Sequence, residues 1–132
     1  MQNNIPDIYL FNPTCEYAVA NGSANWQPNL LLQKMEADLS ALPMFFAKPN
    51  DYVLVDRIPS AEFIKTLKQI DFEIPNFITK KDAINNTDFI NLPKNKLLPW
   101  GWSPSAHKFL FPLKESCTAS FRQSPVFEWK TA

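Results

Sequence analysis

The feature that most constrains this chain is the alternation of short apolar runs with longer amphipathic stretches. "DYVLVD" (51–56) is the clearest run, four apolar residues between two aspartates, and it reads as a buried strand. "DIYLFN" (7–12), closed by Asn12-Pro13, reads the same way. "FEIPNFIT" (72–79) is a third strand, and Pro75 either weakens it or places it at a sheet edge, because proline cannot donate to the ladder. "NKLLPW" (95–100) is a fourth. Between them, Leu31, Met35, Leu39 and Leu42 recur on one face of a helix, with Gln33, Glu36 and Ser40 opposite. That is the pattern of a helix whose apolar side packs on a core. Pro28 suits its first turn, and Pro43 ends or kinks it. Phe63, Ile64, Leu67 and Ile70 follow in helical register behind a cap at or near Ser60. Thr79 with Asp82 opens a short helix to about Asn86. Ser103-Pro104 starts a last helix, with Ala106, Phe109, Leu110 and Leu113 on one face and Pro112 limiting its length. Residues 116–132 show no period.

Strand and helix alternate four times, which predicts an α/β fold: a three-layer open sheet, mostly parallel, of about four strands with helices on both faces. Right-handed crossovers leave few topologies. The commonest strand order, 3-2-1-4, puts a ligand crevice at the carboxyl ends of strands 1 and 4, where the order reverses. The loops leaving those two strands, 12–28 and 99–105, are also the most unusual in the chain.

The first loop lies within "FNPTCEYAVANGSANWQPN" (11–29). It exceeds the usual 4–6 residues by far, yet holds Tyr17, Val19 and Trp26, so it is expected to be ordered. Asn12, Glu16, Asn21 and Asn25 supply polar groups for a ligand, or for the loop's own backbone. Glu16 suits an amine, a metal or a surface lysine. In the second loop, "PWGWSPS", Trp100 and Trp102 flank Gly101 as a ligand wall, an anchor for another domain or plain packing. The candidate substrate-binding residues are Asn12, Glu16, Asn21, Trp100, Trp102 and Ser103. No residue is assigned a catalytic or metal-binding role. Cys15 with His107 would make a nucleophile and base, but no third group orients them. "TKKD" (79–82) reads as a solvated helix start.

The scarcities exclude several classes. Gly22 and Gly101 are the only glycines, too few for a glycine-rich phosphate loop. One histidine and two cysteines, far apart, do not supply a zinc site. Thirteen basic and thirteen acidic residues cancel, leaving no global field for nucleic acid or anionic lipid. No apolar run approaches the ~20 residues that span a bilayer, and the N-terminus has no secretion-signal pattern. The expected location is the cytoplasm, with both thiols reduced. At 132 residues the chain reads as one domain.

"LFNPTCEYAVANGSANWQPN", "MEADLSALP", "DYVLV" and "LPWGWSP" together resemble the front part of uncharacterised bacterial ATP-grasp-like proteins, over roughly residues 7–105. The resemblance implies a Rossmann-like pre-ATP-grasp domain, covering 1–132 as a fragment of a longer chain. It implies a non-catalytic N-terminal module of a carboxylate–amine or carboxylate–thiol ligase, contributing a wall of the substrate cleft and an interface to a C-terminal ATP-grasp domain. ATP and magnesium would belong to that downstream domain, with no cofactor in this segment. The alternatives are a stand-alone small-molecule or protein binding domain and a Cys15/His107 thiol enzyme.

Overall fold

The computed structural model describes residues 5–117. In chain order the elements are β1 (Ile8–Leu10), α1 (Cys15–Asn21), α2 (Leu30–Asp38), β2 (Tyr52–Val55), α3 (Ala61–Gln69), β3 (Asn76–Thr79), α4 (Lys80–Asn85), α5 (Thr87–Asn91), β4 (Leu97–Pro99) and α6 (Pro104–Leu110). Short 3-10 turns follow at Leu42–Phe45 and Phe111–Leu113. The strands form one sheet of order β3-β2-β1-β4, and every pairing is parallel. Ile8 stands in register with Tyr52 on one side and Leu97 on the other. The α/β class, the parallel sheet and the order 3-2-1-4 are those the sequence predicts.

Side chains alternate between the two faces of a strand, and both faces are covered. Ile8, Leu10, Leu54 and Leu97 join Ala83, Phe89, Leu110 and Leu113 in one buried cluster, so α4, α5, α6 and the last 3-10 turn cover that face. Val53 and Val55 point the opposite way and are also fully buried. Phe11, Ala18 and Met44 are the buried hydrophobic residues of the first crossover, and Leu67 that of the second. Each Val, Leu, Ile, Phe or Met side chain among these contributes about 1.5–3 kcal/mol when taken from water. Among the described residues, no helix is long and apolar enough to cross a membrane.

Local chemistry sets the element ends. Ser60, Thr79 and Ser103 accept hydrogen bonds from the backbone N–H of Phe63, Asp82 and Ala106, capping α3, α4 and α6 as their sequences predict. Asn29 and Asn86 do the same for α2 and α5. β3 begins just after Pro75 and is an edge strand, where a missing donor is tolerated. At the amino ends of the strands the buried Asp51 carboxylate accepts from the N–H of Asp7 (3.0 Å) and of Lys48 (2.9 Å). Asn95 donates to Asp7 at 2.9 Å, so the entries of β1, β2 and β4 are tied together.

Several expectations need correction. The loop after β1 contains a helix, α1, and a further helix, α5, follows Asn86. Pro28 lies outside α2, and Pro43 falls in a 3-10 turn beyond its end. The orientation of α2 is reversed: Leu31, Met35, Leu39 and Leu42 are exposed, Glu36 and Gln33 are half-buried, and Ser40 is buried. Polar anchoring explains the reversal. Glu36 binds Thr14, Gln33 donates to Pro28 O (2.7 Å), and Ser40 accepts from Asp56 N–H (3.1 Å). The aperiodic tail beyond 117 lies outside the described residues.

Lys94 is fully buried. Its ammonium donates to the carbonyls of Phe89 (2.5 Å), Ile90 (3.0 Å) and Leu92 (2.7 Å) and to Ser116 Oγ (2.8 Å). It therefore closes the C-terminal end of α5, where carbonyls lack helical partners. Loss of hydration pushes its pKa down to about 8.

Candidate functional site

A cleft of about 140 Å³ opens at the carboxyl end of β1, beside the β1/β4 reversal. Leu10 and Phe11 form its floor, since the chain leaves the sheet there. One wall is the start of α1, with Thr14, Cys15 and Ala18, and the other is the start of α6, with Ser103, Ser105 and Ala106. Trp26 and Pro28 border it from the long connection, and Glu36 and Lys80 bring its two charges.

Asn12 closes the gap between the two loops. Its Nδ2 donates to Gly101 O at 2.7 Å and its Oδ1 accepts from Gly101 N–H at 3.1 Å, a two-way clamp across 89 positions of sequence. Trp100 N–H donates to Leu10 O at 2.8 Å, extending the β1/β4 ladder into the loop. Gly101 is small because Cys15 packs against it. A Cβ placed there would collide with Cys15 Sγ and stand 3.0 Å from Cys15 Cβ. The loops 12–28 and 99–105 therefore meet at one rim of the sheet.

The sequence-derived candidates divide. Asn12 and Ser103 line the cleft. Ser103 is buried, its hydroxyl capping α6 and lying 3.2 Å from Ser105 Oγ. Glu16 is exposed on α1 and does not border the cleft. Asn21 is exposed and accepts from Ser23 N–H at 3.1 Å, a local turn contact. Asn25 accepts from Lys108, tying the long loop to α6. Trp100 lies outside the cleft, more than half exposed, edge-on to Phe11 at 5.1 Å and 6.5 Å from the Phe46 ring. Trp102 is half-buried against the core cluster.

Thr14, Glu36, Lys80 and Ser105 were not singled out by sequence reasoning. Glu36 Oε2 accepts from both Thr14 N–H (3.0 Å) and Thr14 Oγ1 (2.5 Å), which holds α2 to the start of α1. Lys80 reaches the cleft from the end of β3 and pairs with Asp56 at 2.7 Å, so half of "TKKD" is not a solvated surface. The available signal was topological: Lys80 follows a strand at its carboxyl end, where ligands of parallel sheets gather.

Polar and apolar groups line the cleft alike. The Cys15 thiol is pushed up from its ordinary value, first by burial and then by the charges of Glu16 and Glu36, so it remains protonated near neutrality. His107 lines a separate depression with Ala24, Pro104, Lys108 and Phe111. Among the described residues no group of three or more His, Cys, Asp or Glu is placed to hold a metal ion. The arrangement can bind a small molecule through hydroxyls, one cation and one carboxylate, with Phe11, Trp26 and Phe109 as apolar surface. Comparison with known proteins found no family model, no curated relative and no solved structure that matches the chain.

Proposed function

We propose that this domain is a non-catalytic binding module, and that it forms one wall of the substrate cleft of an ATP-grasp-like ligase joining a carboxylate to an amine or thiol. The observation that carries the reading is the clamp of Asn12 on Gly101 beside a recess of mixed polar and apolar lining at the β1/β4 reversal. Parallel α/β sheets bind ligands at such reversals. The recess is smaller than the ~300–1,000 Å³ of drug-sized sites, so one domain alone fits a small polar molecule or part of a larger one. A second domain would complete the enclosure, and would hold the ATP and magnesium. The exposed Trp100 edge, continuous with Phe46, offers an apolar margin for that contact.

The test compares the 132-residue protein with the full reading frame from which it comes. The isolated domain should bind no ATP by calorimetry. The longer protein should hydrolyse ATP only with magnesium, a carboxylate and an amine or thiol acceptor. Asn12→Asp in the longer protein should lower its turnover at least tenfold. The aspartate would still accept from Gly101 N–H but set its second oxygen against Gly101 O, an unpaired and repulsive contact. ATP hydrolysis by the isolated domain, or a reading frame with no further domain, overturns the ligase reading. The latter result would leave a stand-alone binding domain that uses the same cleft.

A further inference from the structure

We propose that Lys94 is a latch on the segment that leaves the last 3-10 turn: residues 114–117 open as a unit while the rest of the domain stays folded, and protonation of Lys94 favours the open form. The latch lies ahead of β4, at the amino end of that strand, whereas the cleft lies at the carboxyl ends. It does not depend on the cleft. Its parts gather at one nitrogen. Lys94 Nζ donates to the carbonyls of Phe89, Ile90 and Leu92 and, at 2.8 Å, to Ser116 Oγ. It also stands 4.8 Å from the centre of the Phe89 ring. The backbone repeats the tie: Lys94 N–H donates to Ser116 O at 2.8 Å, and Lys94 forms a parallel bridge with Cys117. The Cys117 thiol donates to Asn95 O at 3.0 Å. One residue thus joins the end of α5, the approach to β4 and the exit.

Burial changes sharply along this segment. Leu113 is wholly buried, but beyond it Lys114, Ser116 and Cys117 are half-buried and Glu115 is exposed. Little apolar surface therefore holds 114–117 in place, and polar bonds decide whether they stay. Segments of this kind open at lower free energy than the whole fold.

The closed form hides the whole Lys94 side chain, and a buried ammonium loses its hydration. That burial lowers its pKa to about 8, against an opposing pull from the charge of Cys117. The elements around it also carry Asp88 on α5, Lys96 ahead of β4, and Lys114 and Glu115 on the exit. Opening returns the ammonium to water, where its pKa is near 10.4. The open form then binds more protons between about pH 8 and 10, so closure strengthens as pH rises through that window. Ser116 suits both states. Its hydroxyl accepts from the ammonium, and it can donate to the lone pair of the neutral amine.

Exchange of the Lys94 backbone N–H with solvent, measured by NMR and divided by the rate for an unfolded peptide, tests the proposal, because Ser116 O covers that hydrogen. Its protection should be roughly tenfold or more below that of the β2 amides, and insensitive to low urea, the mark of a local opening. Ser116→Ala should lower it about fivefold, the loss of one hydrogen bond, without moving exchange in β2. Protection in the wild type relative to Lys94→Met should climb by up to about tenfold per pH unit between pH 8 and 10. Should Lys94→Met not fold, Cys117→Ser keeps Lys94, removes the thiol that titrates nearby, and should show the same climb by itself. Protection that is lost only together with that of β2 overturns the proposal. So does a profile flat across the window, or Ser116→Ala exchanging like the wild type.

Discussion

Gly101 carries two constraints at one atom position. Its peptide is gripped by Asn12, and the space a side chain would need is occupied by Cys15. Gly101→Ala should therefore cost about 1–3 kcal/mol, the usual range for overpacking a tight site. Cys15→Ala in the same chain should recover most of that loss by removing the sulfur, a non-additive pair that urea melts of the four proteins would read. Lys94 makes a different prediction. Its folded pKa of about 8 lies below the unfolded value near 10.4, so between those limits the unfolded chain binds more protons. Stability then rises with pH through that window, and the penalty for burying the charge is fully present below it. Comparing wild type with Lys94→Met cancels titrations common to both. The wild type should gain on the variant by up to about 1 kcal/mol per pH unit between pH 8 and 10. Lys94→Met should also be the less stable protein at pH 7, since the carbonyls of Phe89, Ile90 and Leu92 lose their donor. Neither feature was legible in the sequence. A lysine after Leu92-Pro93 reads as a surface residue until the fold brings α5 and Ser116 around it.

Among the elements, the helix starts follow local rules and the helix faces do not. Ser60 and Ser103 each accept from the N–H three residues on, as their positions predict. The two caps differ in setting, since Ser60 is exposed and Ser103 is buried against the cleft. Ser60→Ala should cost about 1 kcal/mol. Ser103→Ala should cost more, about 2 kcal/mol, because the Ala106 N–H would then be buried without an acceptor; thermal melts of the two variants check the order. α2 shows the limit of periodicity. A 3.6-residue stripe states that one face is apolar, but not which face the protein turns inward. Here Glu36, through its bonds to Thr14, and the buried Ser40 outweigh four apolar side chains. α1 was hidden for a related reason: "CEYAVAN" is short and lies inside a long connection rich in amides, and its N-cap Thr14 makes no side-chain cap bond. Its anchor is the distant Glu36.

At the scale of the molecule, stability should be concentrated in the two central strands. Val53, Leu54 and Val55 of β2 are wholly buried and β1 is paired on both sides, whereas α2 has half-buried residues but no fully buried one. Native-state hydrogen exchange on dilute protein should place the slowest amides in β1 and β2, with those of α2 opening at much lower free energy. Uniform protection across α2 and the strands would contradict this. The sheet also explains where the recess lies. Strand order 3-2-1-4 separates the crossovers on either side of β1, and the loops that leave β1 and β4 are forced to one rim. The sequence by itself determined the number of strands and three of the helix caps, because these depend on side-chain period and on hydroxyl chemistry within a few residues. The order 3-2-1-4 was expected only as the commonest for such folds, and the edge position of β3 as one of two readings of Pro75. Only the tertiary structure decided the two-way bond of Asn12 to Gly101, the burial of Lys94, the arrival of Lys80 in the cleft and the outward turn of α2. Each of these depends on which polar groups, far apart in the chain, find partners once the backbone is packed, and no local pattern encodes that outcome.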